Sequence, residues 1–121
     1  MIGYVTIGTN DLEKAKTFYD AVLSGLGASR TFANDRMQGY GAKGGPMLMV
    51  CTPYDEKTAS HGNGTMVALA APDRATVDKI HADALKAGAT DEGAPGERMP
   101  TFYGAYFRDF DGNKFCVFKM G

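Results

Sequence analysis

Tyr103-Gly104-Ala105-Tyr106-Phe107-Arg108-Asp109-Phe110-Asp111-Gly112-Asn113-Lys114-Phe115-Cys116-Val117-Phe118 reads as two apolar strands joined by a tight polar turn. Asp111-Gly112-Asn113 supplies the turn, because glycine takes a positive φ freely and Asp and Asn side chains bond their own backbone. Tyr106, Phe107, Phe115, Val117 and Phe118 are strand-formers that suit a pleated, half-buried surface. Alternation sets Lys114, Cys116 and Phe118 on one face and Phe115 and Val117 on the other. Tyr103 and Tyr106 lie three apart, so they face opposite sides, and only one of them can share the row with Cys116.

Upstream of this hairpin the chain alternates between strand and helix signals. A loop rich in Gly and Pro is expected from Gly93 to Pro100, after a short extended piece near Ala89 to Glu92. Before it, Asp73 opens a helix with Val77, Ile80, His81, Ala84 and Leu85 on one face, ended by Gly88. Thr65 to Ala70 reads as a strand. Thr52 to Gly64 is polar, carries Pro53, His61, Gly62 and Gly64, and reads as a connecting segment.

The first half repeats the order. Ile2 to Gly8 is a strand, and Asn10 with Glu13 forms a capping-box pattern with Asn10 as N-cap. Leu12, Ala15, Phe18, Tyr19, Val22 and Leu23 recur at helical spacing to about Ser24, where Gly25 and Gly27 stop the helix. Three short strands follow near 28–32, 36–42 and 46–52, the last pair turned by Gly44-Gly45. Shifting the chain by about 62 residues lays Tyr4-Val5-Thr6-Ile7 on Met66-Val67-Ala68-Leu69 and Asp11 on Asp73. Two βαβββ modules in one α+β domain are therefore expected, module 1 over about 1–53, a linker over 54–63 and module 2 over about 64–121.

Composition narrows the function classes. At 121 residues the chain is one domain with room for a proper core. A net charge of -1 gives nothing to draw it to nucleic acid or an anionic membrane. No apolar run approaches the roughly 20 residues that span a bilayer, and no secretory leader pattern opens the chain, so a cytoplasmic location is expected. Cys51 and Cys116 both sit in apolar runs and read as buried free thiols.

Taken together, Val5-Thr6-Ile7-Gly8, Asn10-Asp11-Leu12-Glu13-Lys14-Ala15 and Phe18-Tyr19 resemble the opening of the vicinal oxygen chelate superfamily. Gly93-Ala94-Pro95-Gly96-Glu97-Arg98 and Arg108-Asp109-Phe110-Asp111-Gly112-Asn113 resemble its second module. That superfamily includes glyoxalase I, bleomycin- and fosfomycin-resistance proteins and extradiol dioxygenases. The resemblance covers essentially the whole chain. It implies paired half-barrel sheets around a cleft and, in active members, a divalent ion held by His and Glu. At those ligand positions this chain carries Tyr4, Met66, Cys116 and, near the end of module 1, Met49. Phenol, thioether and thiol groups are poor donors for the hard or borderline ions such a site uses, so no metal and no other cofactor is expected.

The residues that remain as candidates for chemistry are few. Cys116 is either a nucleophile or redox handle, or an inert core thiol with its pKa raised by apolar neighbours. Tyr4 is either a hydrogen-bond donor to a ligand oxygen or a rim tyrosine. Met49 and Met66 suit an apolar wall or ordinary packing. Arg98 is placed to fix an anionic group, with a solvated loop charge as the plain reading. Tyr106 is the sixth candidate for the ligand wall. His61 reads as exposed linker, and His81 as a hydrogen-bonded, partly buried helix residue. The acidic residues read as caps and turns.

Two function classes stay open at this point. One is a small-molecule protein of glyoxalase ancestry with metal-independent lyase or isomerase-type chemistry. The other is non-catalytic sequestration of a small molecule. The resemblance also implies a homodimer, which would cover sheet edges in so short a chain.

Overall fold

A computed structural model describes residues Met1–Gly121. The first module runs β1 (Tyr4–Gly8), α1 (Leu12–Leu23), a single 3-10 turn (Ser24–Leu26), β2 (Ser29–Ala33), β3 (Met37–Gly41) and β4 (Met47–Cys51). The second runs β5 (Val67–Ala70), α2 (Arg74–Lys86), β6 (Thr90–Met99), β7 (Phe102–Arg108) and β8 (Lys114–Met120). Each module makes a four-stranded sheet, ordered β1-β4-β3-β2 and β5-β8-β7-β6. The first strand of each pairs parallel with the last, and the other pairings are antiparallel. The α+β class and the two βαβββ modules are thus as the sequence predicts.

Two local expectations are corrected. The N-cap of α1 is Asp11, not Asn10: the Lys14 backbone N–H donates to its carboxylate at 3.1 Å. Asp73 caps α2 in the same way, with the Thr76 N–H at 2.7 Å. Asn10 is drawn off by long-range partners. Its N–H and Nδ2 donate to Asp111 Oδ1 at 3.0 and 3.3 Å, and its Oδ1 accepts from the Ala59 N–H at 2.7 Å.

The Gly/Pro stretch is the second correction, since Thr90–Met99 is one ten-residue strand rather than an extended piece and a loop. β6 lies at the sheet edge, where Pro95 costs no ladder bond on the solvent side. Its register with β7 shifts three times, and Gly93 and Gly96 sit at the first two of those irregular points.

One core serves both modules. Leu48 and Val50 of β4, Ala105 and Phe107 of β7, and Phe115 and Val117 of β8 share a single buried cluster with both helices. Phe18 of α1 reaches Phe107 at 6.4 Å between ring centres, and Tyr19 reaches Phe115 at 5.8 Å. The helices therefore lie against the inner faces of both sheets. Burial of these large side chains is the main stabilising term, on the order of 1.5–3 kcal/mol each.

The polar turn after β7 fastens the modules together. Asp109, only 4% exposed, accepts from the Tyr19 hydroxyl, from the N–H groups of Asp111 and Asn113, and from Asn113 Nδ2. Asn113 Nδ2 also donates to the Gly8 carbonyl at 2.8 Å. The connecting segment crosses the same end of the molecule and packs the His61 ring against Gly112, whose φ of +89° excludes most other residues. No helix is long and apolar enough to cross a membrane.

Candidate functional site

Because Phe115 and Val117 are buried in the core, Lys114, Cys116 and Phe118 of β8 look outward, away from the helices. Across the antiparallel pairing, Tyr106 stands opposite Cys116 and Gly104 opposite Phe118. On the parallel side, Ala68 stands beside Cys116 and Ala70 beside Phe118. Phe102 stacks on Phe118 with ring centres 5.4 Å apart and planes 7° from parallel. Gly104 makes that stack possible, since a Cβ there would lie 2.8 Å from the Phe102 ring. The outer face of the second sheet is thus an apolar floor of alanines, thiol and phenyl rings.

A polar cluster stands at one end of this floor. The Arg98 guanidinium lies 5.3 Å over the Tyr106 ring, and Lys114 Nζ lies 5.7 Å from the same ring. Arg98 Nη1 donates to the Gly96 carbonyl at 3.0 Å and Nη2 to the Ala94 carbonyl at 2.7 Å. Tyr103 faces the other way and donates its hydroxyl to Asp78 at 2.6 Å on α2. Of the two tyrosines, Tyr106 is the one that shares the Cys116 face.

Electrostatics keep this cluster neutral at its centre. Burial pushes the Cys116 thiol above its ordinary value, and the opposing pull of the Tyr106 hydroxyl, Arg98 and Lys114 is smaller. Burial likewise raises the Tyr106 phenol, with Cys116 adding to the effect. Cys116 is 1% exposed. A protonated, covered thiol with no histidine base is chemically a wall, not a nucleophile.

The remaining sequence candidates fall elsewhere. Met49 sits on the outer face of the first sheet, between the core residues Leu48 and Val50, and is buried against Gly39. Tyr4 lies on that same outer face at 61% exposure, and Met66, exposed, precedes β5. Tyr4 and Met49 are separated from Cys116 by the shared core. The structure therefore brings together Arg98, Tyr106 and Cys116, with Met66 just ahead of the neighbouring strand, and leaves Tyr4 and Met49 on the other sheet. The Phe102–Phe118 pair and the Gly93–Gly96 seat for Arg98 were not foreseen. The shared parity of Phe118 and Cys116 was the available signal.

His81 belongs to packing between α2 and β6: its Nε2 is 3.0 Å from Asp91 Oδ1 and the residue is buried. The Gly93 N–H and then His81 hold Asp91 below the usual carboxylate range. No three His, Cys, Asp or Glu side chains come together to hold an ion. The phenol, thioether and thiol groups at the superfamily's ligand positions do not fit a hard divalent metal, so no chemistry is assigned to one here.

A cavity of about 520 Å³ borders this face along β5, where Ala68 and Ala70 line it. It opens between β1 and β5, and 14 of its 16 lining residues are hydrophobic, among them Leu23, Leu26, Leu48 and Leu69. Ile2 and Met66 at its border are exposed. It offers apolar surface but almost no polar anchor of the kind that orients a ligand.

Comparison with known proteins is consistent with this architecture. Residues 1–117 match the model of the Glyoxalase/Bleomycin resistance protein/Dioxygenase superfamily. The chain is similar to the crystal structure of a glyoxalase/bleomycin resistance protein from Albidiferax ferrireducens T118, with 39% identity, a TM-score of 0.91, and 98% and 97% of the two chains covered. A family enzyme from Burkholderia phytofirmans PsJN shares the fold at 22% identity and a TM-score of 0.80, each chain covered to 98%. TioX from Micromonospora sp. ML1 shares it at 18% identity and a TM-score of 0.72, covering 100% of this chain and 99% of its own. No curated protein matches the sequence.

Proposed function

The chain belongs to the Glyoxalase/Bleomycin resistance protein/Dioxygenase superfamily, and from that premise we propose that it binds a small organic molecule on the Cys116 face of its second sheet, without a metal and without covalent chemistry at the thiol. The observation that carries this reading is the cluster of Arg98, Tyr106 and Cys116 at the end of an apolar floor. Apolar walls with one or two fixed polar groups are what a small-molecule site requires. The raised thiol pKa and the missing base argue against nucleophilic turnover. Sequestration is accordingly favoured over lyase or isomerase-type chemistry.

We further propose that the binding unit is a homodimer. The superfamily's four ligand positions fall two and two on sheets whose outer faces look away from one core. A second copy is what sets the Tyr4 and Met49 face of one chain opposite the Met66 and Cys116 face of the other. β1 and β5 each have one unpaired edge, and the exposed Ile2, Tyr4 and Met66 lie on or just before those strands. Unpaired edges beside exposed apolar side chains favour cover by another chain.

A thermal-shift screen with small aromatic and carbonyl compounds tests the binding reading. A ligand at 100 times its dissociation constant stabilises by about 2.7 kcal/mol. Stabilisation by a compound family in the parent protein, lost when a Phe118→Arg substitution fills the floor, is the expected result. Stabilisation unaffected by Phe118→Arg contradicts the placement.

A further inference from the structure

We propose that the ligand is a small organic anion, its apolar body on the Phe118, Cys116 and Ala68 floor and its carboxylate or phosphate head between Arg98 and Lys114. This rests on the binding role proposed above and names the class of molecule.

Arg98 is held in position before any ligand arrives. Two backbone carbonyls accept from its Nη1 and Nη2, and the Tyr106 ring supports its plane. The seat is cut to size by two glycines. A Cβ at Gly93 would lie 3.2 Å from Nη2 and 3.0 Å from the Tyr106 ring, and a Cβ at Gly96 would lie 3.2 Å from Nη1. Guanidinium carries five N–H donors, and the two carbonyls take one each, so three remain for a guest.

The charge on Arg98 has no carboxylate to answer it. The adjacent Glu97 is engaged by Arg74 at 2.8 Å. Glu92 is engaged by Arg108 at 2.8 Å, and Lys114 reaches that same carboxylate only at 3.8 Å. Arg108 and Lys114 thus share one acid, and Arg98 pairs with none. A fixed guanidinium stacked on an aromatic ring, with its outer edge free, is suited to a planar or tetrahedral anion. A purely structural arginine at this position needs no surplus of positive charge around it.

The test compares phenylacetate, phenyl phosphate and the neutral isostere phenylacetamide by titration into the protein, with binding read from amide chemical shifts. At least one anion is expected to bind about tenfold or more tighter than the amide, in line with a charge-assisted hydrogen bond. Whichever anion wins identifies the head group. The preference is expected to fall to near unity in Arg98→Gln and to shrink in Lys114→Gln, with both variants checked for a native spectrum. Equal binding of acid and amide, or a preference that survives Arg98→Gln in a folded protein, overturns the anionic class while leaving the binding role standing. If none of the three compounds shifts the Tyr106 and Cys116 amides at millimolar concentration, this inference and the proposed site both fall.

Discussion

The Tyr19 hydroxyl on α1 donates to the Asp109 carboxylate in the turn after β7, joining the two modules across 90 residues of chain. Both groups are almost wholly buried. Four donors converge on the Asp109 carboxylate, and Tyr19 is one of them. Tyr19→Phe should therefore lower unfolding free energy by about 1.5–3 kcal/mol, the usual worth of a hydrogen bond to a charged group. Asp109→Ala, which strands all four donors, should cost more. Urea unfolding measures both, and a loss below about 0.5 kcal/mol for Tyr19→Phe would remove the pair from the account of stability.

The same bond fixes a pH dependence. Burial, and after it the Asp109 charge, raises the Tyr19 phenol well above its ordinary value near 10. A folded-state pKa above the unfolded one gives stability that is whole below the unfolded value and is lost as pH rises toward the folded one. Stability should thus decline above about pH 10, and Tyr19→Phe should flatten that decline. An alkaline limb identical in parent and variant would assign the effect to other groups, Tyr40 first, since burial and Asp20 raise it also.

The thiol prediction separates binding from catalysis. With its pKa raised by burial, Cys116 should react slowly with iodoacetamide at neutral pH and accelerate only above the ordinary thiol range. Comparing the parent with Cys116→Ser isolates its share from that of the buried Cys51. A fast thiol assigned to Cys116 and titrating below pH 7 would make a nucleophilic enzyme the better description.

The two glycines under Arg98 make a packing prediction. Gly93→Ala sets a methyl 3.0 Å from the Tyr106 ring, and the ring cannot retreat without disturbing Cys116. The expected cost is about 1–3 kcal/mol. Any preference for anionic ligands should weaken with it. A neutral Gly93→Ala, with Arg98 undisturbed, would show that the seat is looser than the geometry implies.

Much of this fold is legible in the residue pattern, because βαβββ order is written in local periods and turn residues. The hairpin, the connecting segment and the Asp73 cap all follow from neighbours within a few positions. The Asn10 cap did not, since Asn10 is claimed by Ala59 and Asp111, which lie far away in sequence. Internal repetition held the correction, because the shift of 62 lays Asp11, not Asn10, on Asp73. The Gly93 to Pro100 stretch hid a strand because an edge position tolerates proline and bulges. Parity along β8 predicted the outward row of Lys114, Cys116 and Phe118. Which tyrosine joined that row, and on which side of the core Tyr4 and Met49 would stand, depended on sheet packing that no local signal carries.

The proposed homodimer is tested by its mass in solution. Analytical ultracentrifugation at micromolar concentration should show a species of twice the 12.9 kDa chain. Met66→Lys, which charges the exposed apolar border beside β5, should shift the protein toward monomer. A single 12.9 kDa species for the parent would contradict the dimer.

The central claim is that a small molecule is held on the outer face of the second sheet. Amide chemical-shift mapping of the isotope-labelled protein, titrated with small aromatic and carbonyl compounds, tests it most directly. The predicted result is a contiguous set of perturbed residues on that face, centred on Tyr106, Cys116 and Phe118 and extending to Arg98. Perturbations confined instead to the cavity of Leu23, Leu26 and Leu69, with the Cys116 face silent, would contradict it.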